Sequence, residues 1–258
     1  KTVDWLDRAI LGGDVSDGQL LFHGRLQKLS ELQRQRSGEF HALFEVSQPH
    51  VKFLPDWPEV KRGNGRVSFH NISMALDFSQ LRFAETDIDQ ASIGIADLTR
   101  ARLIIDTQAQ SSADRLLKTL SRMPILDVFD EVEKKQTAVS GLVGSELQIE
   151  IPLSRKFKSW KPSVKGRAEI RNLALTIPEW VVNFKQTNGV LELENEKVTA
   201  ERLTTRYFDD EAVLSVTTDS KRQRTHFKLN GDLTTGKLLC SLPSYLHRPI
   251  SGKSRWKV

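Results

Sequence analysis

Glu146-Leu147-Gln148-Ile149-Glu150-Ile151, followed by Pro152 and Leu153, alternates polar and apolar side chains without a break. Successive residues of an extended chain point to opposite faces, so the stretch predicts a strand with one oily and one wet face. Upstream, Phe40, Ala42, Phe44 and Val46 share a face opposed by Glu39, His41 and Glu45. The same period fits Val67 and Phe69; Met74, Leu76 and Phe78; Ala91, Ile93 and Ile95; and Ala101, Leu103 and Ile105. Downstream it returns in Ala168 and Ile170; Leu173, Leu175 and Ile177; Leu191 and Leu193; Leu214 and Val216; and Phe227 and Leu229. Parallel strands covered on both sides would read as continuous apolar runs, so these strands predict antiparallel sheet. Asp17-Gly18, Gly63-Asn64-Gly65, Asn188-Gly189 and Asn230-Gly231 supply turn chemistry between them. The fold class is mainly β: a large, meandering, one-sided sheet.

Helical signals are few. Asp4 to Leu11 reads as the end of a helix closed by Gly12-Gly13, and Ser112 to Leu120 as a Ser-capped helix stopped by Pro124. A short helix is expected at about 125–134, and another from Thr235 through Leu238, Leu239 and Leu242.

Landmarks repeat in order. Pro55-Asp56-Trp57 precedes Gly65 and a strand, and Pro178-Glu179-Trp180 precedes Gly189 and a strand, at an offset of about 123 residues. Leu116-Leu117 and Leu120 match Leu238-Leu239 and Leu242, while Val15-Ser16-Asp17-Gly18 has counterparts at Val139-Ser140-Gly141 and Ile250-Ser251-Gly252. The expected organisation is a helical end of a preceding repeat (1–14), one β repeat ending in helices (15–137), a second ending in a short helix (138–248), and the start of a third (249–258). The chain begins at Lys1 without an initiator Met, and it reads as a piece of something longer.

With 38% hydrophobic and 28% charged residues the chain should fold. Its 38 basic and 33 acidic side chains leave only +5, too little to mark a basic face. The single cysteine, Cys240, excludes an intrachain disulfide framework. No apolar run exceeds three residues, which excludes a membrane-spanning helix.

Catalytic and metal signatures are not found. The histidines at 23, 41, 50, 70, 226 and 247 lack H-x-x-x-H or H-E-x-x-H spacing, and His41 and His70 fall on wet strand faces, as solvated residues do. Gly231 to Leu238 approaches a phosphate loop, but Leu238 stands where a hydroxyl is needed. Asp87 and Asp89 share a face and Asp209-Asp210-Glu211 cluster, as turns and wet faces do. Arg155 to Lys161 interleaves cations with Phe157 and Trp160, and Lys221-Arg222-Gln223-Arg224 is basic; both read as solubilised hairpin loops rather than nucleic-acid or headgroup sites. No cofactor, metal, catalytic residue or nucleic-acid partner is expected.

One-faced strands raise the question of what covers the oily side. Either two sheets close as a sealed sandwich, structural or adhesive in role, or the sheet curls into a trough that keeps an apolar wall. Trp5-Leu6-Asp7-Arg8-Ala9-Ile10-Leu11, Val15-Ser16-Asp17-Gly18-Gln19-Leu20-Leu21-Phe22-His23-Gly24, Gly38 to Val46 and Leu54-Pro55-Asp56-Trp57-Pro58 resemble the YhdP-type AsmA-like proteins of Gram-negative bacteria, with the whole chain as an interior segment. The resemblance implies a curled antiparallel sheet forming an elongated apolar groove, with short helices between repeats. It also implies a periplasmic protein held to the inner membrane by an N-terminal helix outside this stretch. The implied role is non-enzymatic: conducting phospholipid between inner and outer membranes in support of the outer-membrane barrier, with membrane proteins as partners at the ends. A sixteen-carbon chain gains about 12 kcal/mol on full burial, at roughly 0.8 kcal/mol per methylene. The expected wall residues are Phe40, Phe44, Val67, Phe69, Met74, Leu76, Leu103, Ile105, Leu147, Ile149, Ile151, Leu191, Leu193, Leu214 and Val216.

Overall fold

A computed structural model describes residues 7–24, 38–52, 56–98, 102–123, 127–136, 138–153, 162–180, 182–207, 209–219, 224–234 and 253–257. Its strands are β1 (Ile10–His23), β2 (Glu39–Val51), β3 (Val60–Lys61), β4 (Asn64–His70), β5 (Ser73–Phe83), β6 (Thr86–Ile95) and β7 (Arg102–Ser112). Helices α1 (Ala113–Leu120) and α2 (Asp127–Lys135) follow. Then come β8 (Ala138–Pro152), β9 (Ser163–Ile177), β10 (Val182–Glu194), β11 (Lys197–Tyr207), β12 (Asp210–Asp219), β13 (Arg224–Thr234) and β14 (Lys253–Lys257).

All 14 strands belong to one sheet in which hydrogen-bonded neighbours follow chain order, except that β3 and β4 both lie between β2 and β5. The pairings from β1 to β7 and from β9 to β14 are antiparallel, as the alternation requires. The chain divides into two compact units, one formed by Lys1–Ala109 with Glu146–Val164 and the other by Gln110–Ser145 with Lys165–Val258.

In the first unit, register aligns apolar residues in rows across the strands. One row runs Ala42, Phe69, Met74, Ile95, and the next runs Phe44, Val67, Leu76, Ile93, Ile105. The reverse face carries Glu45 opposite Arg66 and Asp77 opposite Ser92. Arg66 pairs with Glu45 at 2.8 Å, and the Ser92 hydroxyl donates to Asp77 at 2.7 Å. A core of Val60, Phe78, Leu81, Ile88, Ala91 and Ala109 anchors the oily side.

The second unit repeats the scheme with Leu203, Leu214 and Leu229 in one row and Ala200, Val216 and Phe227 in the next. A buried hydroxyl pair, Thr187 and Thr205 at 2.7 Å, lies within it. Each partner satisfies the other, so neither stands as an unpaired polar group.

Several strands switch the parity of their inward residues. Fully buried residues run Met74, Phe78 and then Leu81 on β5, and Val164, Ile170 and then Ile177 on β9. Each switch coincides with a left-handed residue, Gln80 (φ 56°) and Asn172 (φ 51°); Gln48 (φ 50°) marks the same change on β2. An extra residue at such a bulge reverses which face the following side chains take.

Two helix expectations change. Helical backbone among the described N-terminal residues covers only 7–9, and Ile10 already pairs with Val51 as sheet. The Lys52 N–H donates to the Ala9 carbonyl at 2.7 Å, and Gly13 takes φ 139° at a register shift. Gly12-Gly13 therefore bends a strand into register instead of closing a helix. Ser112 occupies the N-cap of α1 in extended conformation, yet its side chain makes no capping bond. Burial of Leu116, Leu117 and Leu120 holds α1 in its place. The helix at about 125–134 is present as α2. Arg155 to Lys161, Lys221 to Gln223 and the Thr235–Leu242 stretch with Cys240 lie outside the described residues.

Candidate functional site

The oily face of the first unit borders a cavity of about 330 Å³, toward the small end of ligand-sized pockets. Its 18 lining residues include no polar side chain. Phe44 on β2, Val67 and Phe69 on β4, and Leu76 on β5 present half-buried side chains to it. Met74 and Leu103 line it too, though both are buried. Alternation explains the chemistry: every second residue of these strands faces the cavity, and the intervening ones are Glu45, Arg66, Ser68 and Asp77. A surface with no hydrogen-bonding side chain favours hydrocarbon over water.

Those six complete the overlap with the expected wall. Phe40 is half-buried opposite Phe22 of β1 and does not line the cavity. Ile105, Ile149 and Ile151 are buried elsewhere in the first unit, where Leu147 is half-buried. Leu191, Leu193, Leu214 and Val216 belong to the second unit; Leu191 is half-buried and the other three are buried.

The cavity also takes side chains that alternation alone passes over: Pro49, Val51, Val60 and Leu81, plus Ile10 and Val15 of β1. Pro49 and Val51 follow the Gln48 bulge, and Leu81 follows the Gln80 bulge, so their inward parity is shifted. Val15 pairs with Val46 and keeps 65% of its surface exposed, as Leu20 opposite Ala42 keeps 67%. The oily face thus continues onto a strand that nothing among the described residues covers.

The polar side carries ion pairs. Lys61 at 2.8 Å and His50 at 2.9 Å hold the Glu59 carboxyl down to about 2, the lysine hydrogen bond being the larger cause. Arg82 reaches Asp87 at 2.7 Å, and Arg102 pairs with Glu150. Asp87 and Asp89 face solvent.

The fold and cavity define a class: an antiparallel β-sheet protein with a wholly apolar ligand-sized recess against its oily face. The family model described as YhdP protein matches residues 1–258, so the chain belongs to that family. It is 22% identical over 256 residues to the intermembrane phospholipid transporter YhdP of Escherichia coli (strain K12), covering 98% of this chain and 20% of that protein. This chain therefore spans about a fifth of its curated relative. No solved structure matches.

Proposed function

We propose that this chain is an interior stretch of a non-enzymatic phospholipid conduit in the cell envelope, in which acyl chains lie against the oily sheet face. The observation that carries the reading is the cavity lined by 18 residues with no polar side chain, six of which (Phe44, Val46, Val51, Val67, Phe69 and Leu76) stay half-buried. Near-equivalent Phe, Val, Leu and Ile positions give a hydrocarbon tail no deep well, so it slides while its headgroup stays in water. Membership of the YhdP family and likeness to an intermembrane phospholipid transporter support this role. The finer reading is of a periplasmic bridge, anchored in the inner membrane, that supports the outer-membrane barrier and meets membrane proteins at its ends. The fifteen expected wall residues belong to it as a continuous groove, with repeats at 15–137 and 138–248. Native mass spectrometry of the purified chain tests it: co-purified phospholipid is expected, and lipid-free protein that also takes up none from vesicles overturns it.

A sealed sheet with a structural role is the second reading, and burial favours it for part of the wall. Ile105, Ile149, Ile151, Leu193, Leu214 and Val216 are each at most 7% exposed, covered by the protein's own side chains. Under that reading a hydrophobic dye finds no site, and no photo-crosslinker on the wall captures lipid.

A further inference from the structure

Away from the oily cavity, the polar face gathers imidazoles that sequence spacing leaves scattered. Glu39 and His41 are two residues apart on β2 and share a face. His70 of β4 sits directly opposite His41, and His23 of β1 directly opposite Glu39. The rings of His41 and His70 stack with centroids 4.3 Å apart and planes at 23°. The Glu39 Oε1 atom lies 2.9 Å from His41 Nε2 and 3.8 Å from His70 Nε2.

From these positions we propose that Glu39, His41 and His70 form a divalent transition-metal site of the zinc type, with its fourth position open to solvent. Their ligand atoms all lie within 4.8 Å of one another. Tetrahedral bonds of about 2.0–2.1 Å place ligand atoms roughly 3.3–3.4 Å apart, between the two measured separations. Two imidazoles and one carboxylate suit zinc, copper or nickel, whereas calcium and magnesium want oxygen. The place is braced by backbone. The Phe40 N–H donates to Asn71 Oδ1 at 2.9 Å, and the Asn71 N–H to the Phe40 carbonyl at 2.8 Å. This clamps the β4–β5 turn against β2 beside the cluster. Asn71 Nδ2 lies 3.4 Å from His70 Nε2, and in the tautomer that accepts from this amide the metal would take over the lone pair the amide now uses. The side chains of Glu39, His41 and His70 are 55%, 43% and 56% exposed, so an ion enters from solvent without rearrangement of the sheet.

The test is titration of the purified, chelator-stripped chain with Zn²⁺ by calorimetry, and with Co²⁺ by visible absorption. One saturable equivalent is expected, with a tetrahedral cobalt spectrum and a rise in Tm on zinc addition. His41→Ala and His70→Ala should each weaken affinity by no less than the roughly 10–100-fold that loss of an outer-shell partner costs. Both positions are solvent-facing, and circular dichroism of the metal-free variants checks their folding; His41→Gln and His70→Gln serve if either alanine variant unfolds. No saturable binding overturns the proposal. So does binding that survives in the His41→Ala/His70→Ala double variant, which assigns the ion to another pair such as His50 and Glu59.

Discussion

Gly65 and Phe78 occupy neighbouring places on adjacent strands, and the ring uses the room a side chain would fill. A Cβ at Gly65 would come within 2.3 Å of both the Phe78 ring and the Asp77 carbonyl. Gly189 and Leu203 stand in the same relation, with 2.8 Å to the leucine side chain. The recurrence of P-[DE]-W before a glycine thus has a physical content: each glycine admits a large side chain from the following strand. Gly65→Val should destabilise the chain by about 1–3 kcal/mol, read as a lowered urea midpoint with unchanged m-value. Ala84 bears the opposite sign. It holds φ 49° between β5 and β6, a conformation that penalises Cβ, so Ala84→Gly should raise stability by about 0.5–1 kcal/mol in the same assay. Glu59 supplies the pH dependence. Its carboxyl is held down to about 2 from 4.5, so its contribution is present above 4.5 and is lost as pH falls toward 2. The Tm difference between the chain and Glu59→Gln should be constant from neutral pH to about 5 and close across that window; a difference that stays flat down to pH 2 sinks the assignment.

At the scale of the strand, alternation makes a sharp functional prediction. A photo-reactive residue at Val67 or Leu76 should capture an acyl chain, while one at Ser68 or Asp77, one step along the same strands, should not. Equal labelling of both sets, read by mass spectrometry of lipid adducts, counts against the proposed conduit. The same alternation is why most of the sheet is legible in the sequence, from 39–46 through 227–229. It fails where the period slips. Gln48 and Gln80 look like ordinary polar strand residues, so nothing local announces that Pro49, Val51 and Leu81 turn inward after them. The histidine cluster escaped for a related reason. Parity puts His41 beside Glu39, but the meeting with His70 depends on the β2–β4 register, which the Asn71 clamp fixes. Gly12-Gly13 misleads in the other direction, because glycine closes helices and bulges strands alike.

For the molecule as a whole, rows of apolar residues and a glycine facing a large side chain occur in both units. The expected wall is uneven. Six of its fifteen residues border the cavity, and most of the others are buried away from it. Lipid binding by the intact chain should therefore depend more on the first unit. Val67→Asp with Leu76→Asp should abolish phospholipid co-purification, whereas a matched pair at Ser215 and Lys228 on the wet side of β12 and β13 should leave it intact.

A sheet whose strands bond to their sequence neighbours, or in the β2–β4 and β3–β5 pairs to the next strand but one, has another consequence. Each hairpin closes on chain that has just been delivered, so no distant segment need be awaited. Such a polypeptide can assemble progressively from its leading end, one rung at a time, while the remainder is still being synthesised.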